Sequence, residues 1–148
     1  MYKKIGLLLV IIVVVIQFIQ PNKNISEAGI GPNDISKTYN MPQNVHDILV
    51  NKCYDCHSNN TRYPWYFSVQ PIGWWLAAHV HEGKEHVNFS EFKNYDRERA
   101  AHKIEELQEV IEEGSMPLKA YVMLHEETQI TPEDARILNE WIKTLPRN

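Results

Sequence analysis

The sequence predicts an all-α domain, and two helical patterns with recognisable ends carry that prediction. Between positions 97 and 113 an apolar stripe recurs at helical spacing, formed by Ala100, Ile104, Leu107 and Ile111. Gly114 stands where the C-terminal cap of this helix belongs. Thr131 and Pro132, followed by the acidic Asp134, predict the capped start of a C-terminal helix.

Length and composition allow one domain and exclude one class of partner. The chain has 148 residues, a net charge of -4 and a hydrophobic fraction of 43%. It has no block of Lys and Arg interleaved with aromatic residues, so we expect no nucleic-acid partner. The distribution of apolar residues predicts an N-terminal segment over 1–20, a linker over 21–42 and a folded domain over 43–148.

The N-terminal segment has the pattern of an export signal or a membrane anchor. Lys3 and Lys4 precede an apolar run that begins at Ile5 and reaches Ile19. This run is slightly short of the roughly 17 to 25 apolar residues of a spanning helix. No small-x-small cleavage site follows it, so we expect an uncleaved, single-pass anchor instead of a cleaved signal. The two lysines then place the rest of the chain on the outer side of the membrane.

A short motif gives the clearest chemical signal. Cys53 and Cys56, the two cysteines of the chain, are separated by two residues, and His57 follows directly. Two thiols at this spacing can add to the two vinyl groups of haem, and the next imidazole can bind the iron. The apolar spacing before the motif predicts a short helix that leads into it. We therefore predict one covalently bound haem c.

Two other interpretations of the cysteine pair stay open at this point. A thioredoxin-like dithiol needs a βαβ pattern, and the sequence shows none. A zinc site needs more ligands, but there is no second cysteine pair and no histidine pair at zinc-finger spacing. The position of His57, directly after the pair, favours haem over both.

The second axial position of the iron has three candidates. Met116 precedes a proline in a loop between two predicted helices, a setting that suits a thioether ligand. His79 is the alternative, because it lies in a predicted helix on the same face as Trp75. His125 is a third candidate, although it is otherwise expected at the surface with the histidines at 81, 86 and 102. We expect His57 and Met116 as the metal ligands.

Aromatic side chains that follow the motif are candidates for the walls of a haem site, namely Trp65, Tyr66 and Trp74. A wall of this kind keeps water from the ring and tunes its potential. The alternative is that they are ordinary core residues. Arg62 and Lys84 are candidates for pairing with the haem propionates.

The order of these features resembles class I cytochrome c, with a helix before the motif, a Met loop and a C-terminal helix. More specifically, the chain resembles the bacterial haem-binding domain family of small, often membrane-anchored proteins. This resemblance covers most of residues 43–146 and rests on the run from Cys53 to Tyr66 and on Trp74-Trp75, His79-Val80, Gly83-Lys84, Asn88-Phe89-Ser90, Met116-Pro117, Tyr121, His125 and Trp141. The chain departs from the family pattern at Leu118, where a proline is usual, and at Lys84, where Arg is frequent.

The resemblance implies c-type haem binding in a cytochrome c-like fold, and it leaves the substrate or redox partner undefined. A haem with two protein ligands has no open iron site, so we expect an electron carrier on the outer face of the inner membrane rather than an enzyme. The alternative is a peroxidase-like enzyme or a gas or redox sensor with a labile sixth ligand, in which His79 or His125 would act on the distal side.

Overall fold

The computed structural model describes residues 2–27 and 29–146, and its regular structure within these ranges is entirely helical. The helices are α1 (Tyr2–Ile16), α2 (Ile35–Thr38), α3 (Gln43–Lys52), α4 (Tyr54–His57), α5 (Ile72–His86), α6 (Arg97–Glu113), α7 (Lys119–Val122) and α8 (Pro132–Ile142). In the same part of the chain, 3-10 turns lie at Trp65–Ser68, Phe89–Asn94 and Glu126–Thr128. The prediction of an all-α fold is confirmed.

The core of the domain lies where α3 and α6 pack on α8. Fully buried side chains from these helices meet there, including Leu49, Ile104 and Leu138. Phe89 and Phe92 of the second 3-10 turn join the same cluster. Burial of each such side chain stabilises the fold by about 1.5–3 kcal/mol.

The two helices with the clearest sequence patterns begin and end where their caps predict. Gly114 ends α6 in the left-handed conformation, at φ 63°, which glycine adopts without a steric penalty. At the start of α8 the Thr131 side chain accepts from the Asp134 backbone N–H, and the Asp134 side chain accepts from the backbone of Thr131. Both helices are therefore fixed by local chemistry as well as by the core.

The stretch 21–42, which the sequence predicts to be a linker, lies in contact with the domain. The Asn24 amide donates to the Ser58 carbonyl at 2.8 Å and to Thr61 Oγ1 at 3.0 Å. Asp34 and Ile35 have no exposed surface. Side-chain hydrogen bonds, Ile35 in the core, and Tyr39 and Met41 packed against the core therefore hold this stretch, although its polar composition does not predict such contacts.

Helix α1 contributes no residue to the core. None of its 15 residues is buried, and apolar side chains such as Leu8, 57% exposed, face outward. Within the residues described, no helix combines the length and apolar character needed to cross a bilayer. The expected membrane-spanning helix is therefore not supported: regular helix ends at Ile16, and the side chain of the next residue, Gln17, hydrogen-bonds with Gln70 of the domain.

Candidate functional site

The two cysteines and the histidine of the motif share one helical turn. Cys53 ends α3, with its N–H donating to the Leu49 carbonyl at 2.9 Å, and it also caps α4. The His57 N–H then donates to the Cys53 carbonyl at 3.0 Å. Both cysteines are free thiols and half-buried. Five consecutive residues therefore present two thiols and an imidazole from one compact piece of backbone.

The tautomer of His57 follows from its hydrogen bond. Its Nδ1 lies 3.1 Å from the Val87 carbonyl oxygen. A carbonyl can only accept, so Nδ1 carries the proton and Nε2 keeps its lone pair. Burial lowers the pKa of His57, although the backbone bond acts in the opposite direction. The side chain is therefore a neutral imidazole whose Nε2 can bind a metal.

The thiols are not activated for exchange chemistry. Burial, with Cys56 nearby, raises the pKa of Cys53 to about 12. Burial and the charge of Asp55 raise the pKa of Cys56 to about 11. Reactive dithiols have pKa values lowered below the ordinary value, so this environment gives the thioredoxin-like interpretation no support. Within the described residues, no group of three or more His, Cys, Asp or Glu side chains could hold a metal ion such as zinc.

The two residues between the cysteines fix the turn from both sides. The Tyr54 hydroxyl donates to Asp34 Oδ1 at 2.9 Å. The Tyr54 ring stacks on the Phe89 ring, with 5.6 Å between the ring centroids. Asp55 is buried and accepts from Arg62 Nε at 3.0 Å and Arg62 Nη2 at 2.9 Å. The Tyr121 hydroxyl donates to the same carboxylate at 2.9 Å. The turn is therefore anchored to the start of α2, to the loop that follows the motif and to α7.

Helix α5 lies directly against the motif turn. A Cβ added to Gly83 would lie 2.9 Å from the Cys56 carbonyl oxygen and 3.3 Å from its Cβ. Any residue larger than glycine at position 83 would force α5 and the motif turn to move apart. The same helix ends where the Val87 N–H donates to the Gly83 carbonyl, which places the Val87 carbonyl over His57.

The candidates for the second axial position differ in burial and in the hydrogen bonds that their side chains already make. Met116 is half-buried in the loop after α6, and its peptide bond to Pro117 is cis. His79 Nδ1 donates to the Trp75 carbonyl at 2.9 Å, which leaves Nε2 with its lone pair. His125 is only 20% exposed, not at the surface as the sequence predicts, and its Nε2 is hydrogen-bonded to the Tyr66 hydroxyl at 2.6 Å.

The predicted wall and propionate residues have varied surroundings. Trp65 is 82% exposed, whereas Tyr66 is tied to His125. Trp74 Nε1 donates to the Ile19 carbonyl at 2.8 Å. The two basic candidates already have partners, since Arg62 pairs with Asp55 and Lys84 Nζ donates to Asn24 at 2.6 Å. A haem contact by Trp65, Tyr66 or Trp74 stays a prediction.

Comparison with known proteins decides the family. The model of the haem-binding domain family matches residues 11–144. The chain belongs to this family. No curated protein and no solved structure gives a match. The matched range of this haem-binding domain begins within α1 and includes 21–42, so the family's unit starts well before residue 43.

Sequence reasoning missed the support of the motif turn in this haem-binding domain. Asp55 and Arg62 are opposite charges seven residues apart, which is a weak signal for a pair. The bond from Tyr121 to Asp55 spans 66 residues, and no local pattern reveals it. The role of Val87 is equally hidden, because a backbone carbonyl provides it.

Proposed function

We propose that this haem-binding domain is a c-type cytochrome-like electron carrier, with one haem held covalently by Cys53 and Cys56 and ligated by His57. The observation that carries the proposal is the hydrogen bond from His57 Nδ1 to the Val87 carbonyl. It leaves an Nε2 lone pair in the same helical turn as two unpaired thiols. When bound, the haem supplies an iron that exchanges one electron between its ferric and ferrous states.

The protein's own part is to hold and tune the iron ligand. The Val87 carbonyl orients the imidazole and increases its basicity, as outer partners of metal-bound histidines do. Asp55, held by Arg62 and Tyr121, keeps the motif turn in place. A turn that is rigid before the cofactor is attached needs little rearrangement when the iron changes charge.

Met116 is proposed as the second axial ligand, with His79 as the alternative. The free Nε2 of His79 keeps it available, whereas Nε2 of His125 is engaged by Tyr66. Met116 fits better because the chain returns to the motif soon after it, at the bond from Tyr121 to Asp55. A Met–His pair gives a higher potential than two histidines.

Exposed apolar side chains around the Tyr66–His125 bond support a large apolar ligand. Trp65 is 82% exposed beside Tyr66, and Met123 and Leu124, at 80% and 64%, precede His125. A porphyrin ring that covered part of this surface would remove it from water, at about 25 cal/mol for each Å². Trp74 is proposed to contact the haem on sequence grounds alone.

The proposed place of action is the outer face of a bacterial inner membrane, with the N-terminal segment as the anchor. The order of Lys3, Lys4 and an exposed apolar helix supports this placement. There the carrier would exchange electrons with a redox protein whose identity the sequence does not give.

A peroxidase-like enzyme or a sensor is the second candidate, and the Tyr66–His125 bond favours it. An imidazole bonded to a phenol can move a proton beside an open iron site. This function requires that Met116 and His79 both leave the sixth position free. A high-spin spectrum that shifts with carbon monoxide would then be expected.

Expression of the full chain in a host with haem-attachment machinery tests the proposal. Denatured protein should show the covalent mass of one haem, and the reduced protein sharp α and β bands. Met116→Ala should abolish the weak band at the red end of the oxidised spectrum, because that band depends on a Met–iron bond. Met41→Leu, at a methionine packed against the main core, is the matched control and should keep it. A colourless protein would refute haem attachment, and a red-end band that survives Met116→Ala would refute the ligand.

A further inference from the structure

The end of α1 is fastened to the domain by three glutamines, here called the glutamine clasp: Gln17, Gln20 and Gln70. The Gln70 N–H donates to Gln17 Oε1 at 2.9 Å, and Gln17 Nε2 donates to the Gln70 carbonyl at 3.1 Å. Gln70 Nε2 donates to Gln20 Oε1 at 3.0 Å. Gln70 is only 3% exposed, so the clasp is built into the domain and not laid on its surface.

The surrounding backbone restricts the clasp further. Gln20 Nε2 donates to the Ser68 carbonyl at 3.1 Å, and Trp74 Nε1 donates to the Ile19 carbonyl at 2.8 Å. At Gly73 an added Cβ would lie 2.1 Å from the Phe67 carbonyl oxygen, so the turn beneath the clasp is tightly closed. The chain leaving α1 is therefore held in one direction relative to the domain.

An apolar surface surrounds this junction, here called the collar: Phe18, Ile19, Val69 and Ile72. These side chains are 84%, 57%, 39% and 43% exposed. The collar continues directly into α1, whose run from Ile5 to Ile16 carries no charge and is not covered by the core. Exposed apolar side chains gathered at one place on a small domain mark an interaction site.

We infer that the collar and the glutamine clasp seat the haem-binding domain directly on a lipid bilayer in one orientation. The inference rests on the membrane placement proposed above. Lipid is the occupant because the collar is continuous with the apolar helix, and because the ring of Trp74 lies at their junction, where aromatic residues favour the membrane interface. If residues 21–42 were a free tether, the domain would instead stand off by roughly 25 Å.

Two measurements on the full chain in bilayers test the inference. Polarised absorption at the Soret band of oriented phosphatidylcholine–phosphatidylglycerol bilayers reports whether the haem plane has a fixed tilt. Neutron reflectometry on a supported bilayer of the same composition reports the water layer between headgroups and protein. We expect a dichroic ratio different from 1 and no resolved water layer.

Variants separate the clasp from the anchor. Gln17→Ala/Gln20→Ala should bring the dichroic ratio to 1 and open a water layer, while the chain still floats with vesicles. Gln43→Ala/Gln108→Ala, at an exposed and a half-buried helical glutamine outside the clasp, is the matched control and should change neither. Val69→Asp/Ile72→Asp should also open the layer, whereas Ile25→Asp, at a 61% exposed residue outside the collar, should not.

The outcomes separate this inference from the proposed function. A wild-type chain that floats with vesicles, but with a layer of roughly 25 Å, overturns the inference and leaves anchoring intact. A chain that does not float overturns both the membrane placement and the inference. A colourless protein contradicts haem attachment alone, because reflectometry still decides where the domain sits.

Discussion

Gly83 sets how closely α5 can approach the motif turn. Gly83→Ala should destabilise the domain by about 1–3 kcal/mol, because the new methyl group would overlap the Cys56 carbonyl oxygen at 2.9 Å. It should also reduce the haem bound per chain, since the turn with both thiols must shift. Urea unfolding and the ratio of haem to protein measure the two effects.

Gly31→Ala is the control for this substitution. A methyl group added at Gly31 would have no neighbour within 4 Å, and the φ of Gly31 is not left-handed. The change in the free energy of unfolding should therefore stay within about 0.5 kcal/mol. If Gly83→Ala behaved like Gly31→Ala, the close packing of α5 on the motif would be contradicted.

For single residues, the sequence predicts which side chains can bind the haem and its iron. It does not predict which other residues hold those side chains in place. Cys53, Cys56 and His57 could be singled out because their spacing is itself a chemical pattern. Tyr121 and Val87 could not, because one acts across 66 residues and the other through its backbone. Side-chain identity is visible in a sequence, whereas long-range contact is a product of folding.

Helix α8 is coupled to α3 through its first turn. Asp134 completes the cap with Thr131 and lies 3.1 Å from Lys52 Nζ. Burial acts to raise the pKa of Asp134, but the hydrogen bonds from Thr131 and the charge of Lys52 outweigh it and lower the pKa. A lowered carboxyl pKa stabilises the fold above the unfolded value of about 3.9 and loses that effect as the pH falls through the folded value.

Asp134→Asn should therefore cost about 1 kcal/mol at neutral pH and much less near pH 3. The measurement is the free energy of unfolding in urea at both pH values. Glu109→Gln, at an exposed carboxylate of α6, is the control and should have no measurable effect at either pH. Equal losses for Asp134→Asn at both pH values would contradict the ionic part of the argument.

Among the elements, the sequence predicts the ends of helices best where a capping residue marks them. The end of α6 and the start of α8 follow from Gly114 and Thr131, because caps are local hydrogen-bond chemistry. Helix α5 contains the helix predicted around Trp75 and His79, but it extends to His86, and its contact with the motif turn continues through Gly83. Tertiary contact of this kind leaves no mark in local periodicity.

For the molecule as a whole, the stretch 21–42 is the largest difference from expectation. Ile35→Ala should destabilise the domain by about 2–5 kcal/mol, because Ile35 is 0% exposed and lies in the main core. Ile25→Ala, at a residue 61% exposed in the same stretch, is the control. Thermal or urea unfolding of both variants measures the difference, and equal stability would show that the stretch is a linker after all.

The sequence could not reveal this packing, because Ile25, Ile30 and Ile35 lie five residues apart, a spacing that fits neither helix nor strand periodicity. The prediction of a membrane-spanning helix in the N-terminal segment is not supported, for a related reason. Its apolar run predicts a helix as far as Ile19, but regular helix ends at Ile16, and the side chain of Gln17 hydrogen-bonds with Gln70. In both cases the domain determines the conformation of residues that look independent of it.

The hydrogen bond between His57 and the Val87 carbonyl also bears on how this protein can evolve. Every amino acid carries the same carbonyl, so mutation at position 87 can exchange the side chain without deleting the acceptor. An aspartate or asparagine in this role would be lost by one codon change. Substitutions at position 87 therefore leave the hydrogen bond to the imidazole in place. Only a shift of the main chain would remove it or change its geometry.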